Sequence, residues 1–175
     1  MSLPLRVAVM MGSDSDLAVM RGAADVLAKF DVGCDVRVLS AHRSPERAVA
    51  YVREAPERGI RVFICGAGMA AHLAGVVAAH TTLPVIGVPL RSSAGLDGAD
   101  ALYSTAMMPP GIPVATVAIG GAQNAAHLAL RILALGDDAL AGRIAAFRAE
   151  MDAGVAAKNE ALDALGVEGY LARKA

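Results

Sequence analysis

The chain has 175 residues, a length that suits one domain. It is 55% hydrophobic but only 3% aromatic, without Trp, so its core must be built from Ala, Val, Leu, Ile and Met. That favours close helix–sheet packing over an aromatic-rich β-sandwich. Sixteen Lys+Arg against seventeen Asp+Glu give a net charge of −1, which excludes the basic excess of a general nucleic-acid binder.

In chain order, Met1–Arg6 holds no apolar signal core ahead of its first charge. Val7–Met11 reads as a fully buried strand. Gly12-Ser13-Asp14-Ser15-Asp16 then opens a helix to about Phe30, with Leu17, Met20, Ala24 and Leu27 at the helical period. Residues 35–39 form a second strand. Ser44 is the expected N-cap and Pro45 the first residue of a helix to about Glu54. Residues 61–65 form a third strand, ended by Gly66-Ala67-Gly68, and an Ala-rich helix spans Ala70–His80. Strands over 85–88 and 114–119 flank a long connection, 91–113, which is loop-like at Arg91–Gly98 and Pro-rich at Met107–Pro113. A connection of that length in a small domain is functional or an assembly element. A helix follows over about Asn124–Leu135, then an Ala-rich helical segment from Gly136 to about Leu165, interrupted at Gly154.

Strands alternating with helices imply parallel crossovers and a three-layer α/β domain. About five strands favour the flavodoxin-like order 2-1-3-4-5. The expected organisation is one domain over 1–175. It has an α/β core at 6–136 and a helical tail at 137–175 suited to pack on neighbouring subunits through Leu140, Ile144, Phe147, Met151 and Val155. No apolar run reaches the roughly 18–20 residues of a membrane span without a break. A soluble, cytoplasmic protein with no membrane or nucleic-acid partner is expected. Cys34 and Cys65 fit no metal spacing and read as reduced core residues.

In the order 2-1-3-4-5, strands 2, 1 and 3 are neighbours, so their carboxyl-end turns share one crevice, where open α/β sheets bind ligands. Those turns carry the useful chemistry. At Ser40–Ser44, His42 is a residue type suited to reversible proton transfer. Arg43 offers a planar fork that matches phosphate. At Gly12–Asp16, a helix start and the Ser13 hydroxyl suit an anion, and Asp16 suits ribose hydroxyls. Two carboxylates beside a phosphate repel it, so one of Asp14 and Asp16 should point elsewhere. An ordinary helix cap would use the same residues. At Gly66–Leu73, small residues allow close backbone approach to a flat ligand, and His72 suits donation to a carboxylate. Tight helix–sheet packing explains the small residues equally well. His80 and His127 read as structural. No group of ligands has metal-site spacing.

Four blocks are then met in order: Met11–Asp16, Ser40–Pro45, Gly66–Leu73 and Met108–Thr116. Together they resemble the N5-carboxyaminoimidazole ribonucleotide mutase family of purine biosynthesis, over roughly residues 6–150. The resemblance implies a flavodoxin-like subunit of a homo-octamer. It implies that N5-carboxyaminoimidazole ribonucleotide becomes its C4-carboxylated isomer with neither metal nor ATP, hence no cofactor. It implies that Ser13, Ser40 and Arg43 hold the phosphate, Asp16 the ribose, and His42 the mobile proton. The turn with Gly68, Ala70, His72 and Leu73 would hold the migrating carboxylate. Arg43 and Ala70-Ala71-His72-Leu73 point to the mutase rather than to a sister branch that carboxylates aminoimidazole ribonucleotide directly. Met69 and Ala74 depart from the family's usual Gly and Pro, and a positive φ at position 69 would strain Met. Besides the direct carboxylase, the residues admit a non-catalytic nucleotide-phosphate sensor or a purely structural oligomer. The sensor would leave His42 without a role, and the structural oligomer explains none of the loops.

Overall fold

Five parallel strands form one sheet in the order β2-β1-β3-β4-β5. They are β1 (Leu5–Met11), β2 (Gly33–Val38), β3 (Val62–Gly68), β4 (Val85–Leu90) and β5 (Ala115–Thr116). The coordinates are a computed structural model that describes residues 3–173. Residues 1–2 and 174–175 lie outside the described residues. They are the ends of the expected domain and the start of the segment read for a signal core. The helices are α1 (Leu17–Lys29), α2 (Pro45–Glu54), α3 (Leu73–Ala79), α4 (Ala99–Ala106), α5 (Ala122–Ala134) and α6 (Asp138–Ala172). The chain divides into two compact units between Leu133 and Ala134.

In the first unit, β1 and β3 are central and covered on both faces, which is why Val7–Met11 is a continuous apolar run rather than an alternating one. Alternation still decides which helix each side chain meets. Ala8, Met10, Phe63 and Cys65 share a cluster with Val52 of α2 and with Leu73 and Val77 of α3. On the other face Gly66 lies against Met20 of α1, and Gln123 of α5 reaches Gly22 of α1. The exposed edge strand β2 carries charge: Asp35 pairs with Arg37 at 2.9 Å and Arg58 at 2.6 Å and accepts from the Tyr51 hydroxyl at 3.0 Å. Charged edges resist pairing with another chain.

Several local expectations are corrected. The connection 91–113 contains α4, a two-turn helix whose buried positions are only Ala101 and Thr105. Tyr-Ser-Thr at its centre are mediocre helix formers, so packing rather than propensity makes it. β5 is two residues rather than six: its partner β4 has Pro89, which cannot donate to a ladder. Beyond Thr116 only isolated bonds continue, Val117 N–H to the Gly87 carbonyl and Gly120 N–H to that of Pro89. α3 starts at Leu73 and not at Ala70, because Met69 turns the chain through a positive φ of 53°. Ser44 is the N-cap of α2 and Pro45 its first residue, as expected, but the Ser44 side chain makes no capping bond. Its hydroxyl is taken by the Ser40 turn, accepting from Ser40 N–H at 3.1 Å and donating to the Ser40 carbonyl at 3.2 Å. Cys65 is buried as expected, but Cys34 is only half-buried; both are free thiols.

In the second unit, Asp137 caps α6 by accepting from Leu140 N–H at 3.0 Å. The helix runs through Gly154, where an exposed glycine costs only about 1 kcal/mol relative to Ala. The break falls instead at Gly166, with φ 65° and ψ 174°. Among the described residues no helix is long and apolar enough to cross a membrane.

Candidate active site

The carboxyl ends of β1, β2, β3 and β4 open onto one cavity of about 470 Å³. Every residue singled out above lines it: Ser13, Asp16, Ser40, His42, Arg43, Gly68, Ala70, His72 and Leu73. The mouths of the strands are tied together by backbone bonds. Leu39 N–H donates to the Met11 carbonyl at 2.8 Å and Gly12 N–H to the Gly66 carbonyl at 3.3 Å. These hold the first three turns at a fixed spacing.

The turn after β1 is a reciprocal cap. Ser15 N–H donates to the Ser13 hydroxyl at 3.4 Å, and Ser13 N–H donates to the Asp16 carboxylate at 3.1 Å. The aspartates separate as charge repulsion requires. Asp14 is exposed and not part of the cavity wall; it accepts from the Ser13 hydroxyl and from Ser15 N–H. Asp16 faces the cavity, and burial raises its pKa above the usual 3.8, against the lowering effects of the Ser13 N–H bond and the Arg43 charge. One of its oxygens is engaged by Ser13; a carboxylate has acceptor capacity left for a further donor.

The turn after β2 carries Arg43 and His42. Arg43 N–H donates to the Ser40 hydroxyl at 3.1 Å, which fixes the turn. The Arg43 guanidinium reaches across to the Gly12 carbonyl at 2.7 Å and so overhangs the serines of the first turn. His42 and His72 are both exposed, and their rings meet edge to face with His42 Nε2 and His72 Nδ1 2.6 Å apart. The turn after β3 is close to backbone of the next strand: a Cβ on Gly68 would stand 3.3 Å from the Leu90 carbonyl. Next to it, Met69 holds its left-handed backbone, and its carbonyl accepts from the Ser104 hydroxyl of α4 at 3.4 Å.

Sequence reasoning missed the fourth wall. Arg91, Ser92 and Ser93 follow β4 and line the cavity, with Arg91 paired to Asp97 at 3.1 Å. The signal was available: strand 4 neighbours strand 3, so its carboxyl-end turn enters the same crevice. His80 lies outside the cavity, its Nδ1 2.9 Å from the Val76 carbonyl, and His127 packs edge-on against Phe30. A larger hollow of about 1130 Å³ lies at the opposite end, around Pro84 and Val85 at the start of β4; His80 lines it, but none of the candidate site residues does. Among the described residues, no three His, Cys, Asp or Glu side chains gather as a metal site.

A model of the family described as AIR carboxylase matches residues 6–154. The chain belongs to the AIR carboxylase family. Family relatives named N5-carboxyaminoimidazole ribonucleotide mutase include that of Mycobacterium tuberculosis (strain H37Rv), 55% identical over 160 residues, covering 91% of each chain. That of Pyrococcus horikoshii is 51% identical over 165 residues, covering 94% of this chain and 93% of the relative. The crystal structure of Treponema denticola PurE superposes with a TM-score of 0.82 at 30% identity, covering 90% of this chain and 98% of that one. That family structure shares the architecture described above.

Proposed function

We infer that the cavity above β1–β4 converts N5-carboxyaminoimidazole ribonucleotide into 4-carboxy-5-aminoimidazole ribonucleotide. The chain is an isomerase of purine biosynthesis, as its relatives' names indicate. The observation that carries the site reading is the convergence of an imidazole pair, a guanidinium and several hydroxyls from separate turns on one cavity.

The roles follow from chemistry. Arg43, Ser13 and Ser40 bind the phosphate, through charge-assisted bonds from the guanidinium and donation by the hydroxyls. Asp16, facing the cavity, accepts from the ribose hydroxyls. The turn of Gly68, Ala70, His72 and Leu73 receives the carboxylate, where the lack of bulk lets the backbone approach. His42 moves the proton. The N–C bond to the carboxylate breaks, releasing CO2, and His42 gives its proton to that nitrogen. CO2 then bonds to ring carbon C4, and His42 recovers a proton from that carbon. The proton count closes on one histidine, so neither oxidant nor net acid is consumed. The chemistry requires that CO2 be kept in and water out during the transfer.

The test is His42→Asn. General acid–base transfer contributes about 10²–10⁴-fold, so kcat should fall at least 100-fold while substrate still binds. Turnover within tenfold of the parent would sink the assignment. Aminoimidazole ribonucleotide with bicarbonate should give no product under conditions where the N-carboxylated substrate does. We further propose that the enzyme works as a cytoplasmic homo-octamer. Exposed apolar residues along α6, Met151 and Val155 among them, support self-association. Sedimentation at micromolar concentration should give eight times the 17.8 kDa subunit mass; a monomer would refute this.

A further inference from the structure

His42 and His72 lie 30 residues apart on two different turns, yet meet nitrogen to nitrogen at 2.6 Å. An imidazole nitrogen either carries a proton or offers a lone pair. At this separation one ring donates and the other accepts, so one proton lies between them. Each ring keeps one outer nitrogen, His42 Nδ1 and His72 Nε2. The neutral pair holds two protons, one between the rings and one on an outer nitrogen. A third proton fills both outer nitrogens and gives one positive charge with the bond intact. A fourth would set N–H against N–H and add a second positive charge, breaking the contact. The other charged side chains lining the cavity are Arg43 and Arg91, which oppose a second positive charge, and Asp16, which favours it.

We propose that His72 is a positioning residue for His42, and that the two imidazoles act as one acid–base unit taking up a single proton. This rests on the reading of His42 as the proton carrier. The contact orients an exposed ring that would otherwise sample several rotamers. It also gives the proton a path: a proton entering at one outer nitrogen displaces the shared one and releases another from the far nitrogen. The unit can therefore hold a proton between its delivery to nitrogen and its recovery from carbon.

The test uses the full chain labelled with ¹⁵N-histidine, with imidazole shifts followed from pH 8 to pH 5 in the absence of substrate. His42→Asn and His72→Asn assign the signals. The expected result is that the two rings together gain one proton, and that in His72→Ala the His42 ring gains a full proton by itself. His72→Ala should lower kcat by about 10–100-fold, as loss of an orienting partner does, with a smaller change in KM. His72→Asn, which keeps a hydrogen-bonding atom near the Nδ1 position, should recover part of the loss. His72→Phe keeps the bulk without the nitrogen and replaces His72→Ala if that variant does not fold. Two rings that each gain a full proton, with His42 unaltered by His72→Ala, would overturn the proposal. So would a loss confined to KM. The titration needs no turnover: a shared proton in a protein that shows no mutase activity would sink the functional reading and leave the pair standing.

Discussion

Arg43→Ala tests how the site holds a phosphate. The guanidinium crosses from the turn after β2 to the Gly12 carbonyl, 2.7 Å away, beside Ser13 and Ser15. Of its five N–H donors, one is used there and four remain for a ligand. A hydrogen bond to a charged group contributes about 1.5–3 kcal/mol. Loss of that contribution weakens binding by about 10- to 150-fold, with the lower end favoured because the group is exposed and screened by salt. Arg43→Lys keeps the charge but not the fork and should fall between. The assay is calorimetric titration of the 5′-phosphorylated ribonucleotide and of its dephosphorylated nucleoside. The loss should appear for the phosphorylated ligand alone. Equal losses for both ligands, or unchanged affinity, would refute a phosphate role. A second arm follows from Asp16. Burial raises its pKa while the Arg43 charge lowers it. Without Arg43 the carboxyl protonates at a higher pH. The acid limb of ribonucleotide binding, if it reports ionised Asp16, should therefore move to higher pH in Arg43→Ala.

Gly87→Ala should destabilise the fold by about 1–3 kcal/mol, because the new Cβ would collide with the Thr105 methyl and stand 2.9 Å from Val114 Cγ1. Thr105→Ser removes that methyl and should restore much of the melting temperature; no rescue would place the strain elsewhere. Met69→Ala and Met69→Gly both delete the side chain, so their difference isolates the backbone at φ 53°. Urea melts should find the Gly variant more stable by about 1 kcal/mol, and an Ala variant of equal stability would refute the strain. His127 has its pKa lowered by burial first, then by Arg131 and Lys29. The fold thus prefers the neutral ring, and the associated stability is full above 6.5 and is lost as pH falls below it toward the folded-state value. His127→Gln should flatten that part of the stability profile between pH 7.5 and pH 5.5; an unchanged slope would reject the attribution.

The strand order was legible because alternating apolar runs and helical periods leave few topologies, and because β1 and β3 are apolar on both faces. The location of the site then followed from where the strands end. What escaped was fixed by tertiary contact rather than by local pattern. α4 exists because Ala101 and Thr105 find a buried surface, not because its residues favour helix. The entry of Arg91, Ser92 and Ser93 into the cavity depends on β4 lying beside β3, which a reading confined to three turns did not use. The contact between His42 and His72 needs two turns placed to within an ångström, which no spacing rule supplies.

Met69 links these points. The family resemblance leads one to expect glycine there, and the backbone is left-handed, as glycine would allow. The reversal at Met69 delays α3 until Leu73 and leaves Ala70, Ala71 and His72 as a turn at the cavity rather than the first turn of a helix. A helix beginning at Ala70 would swing His72 onto a helical face. The strain of a non-glycine residue at positive φ is therefore located where it places the imidazole that His42 meets. Relief of that strain and loss of that placement are separable. Glycine can hold the same dihedral without cost, so Met69→Gly should gain stability relative to Met69→Ala and keep the His42–His72 contact. A substitution that instead forces φ negative should cost the contact even where it stabilises the fold.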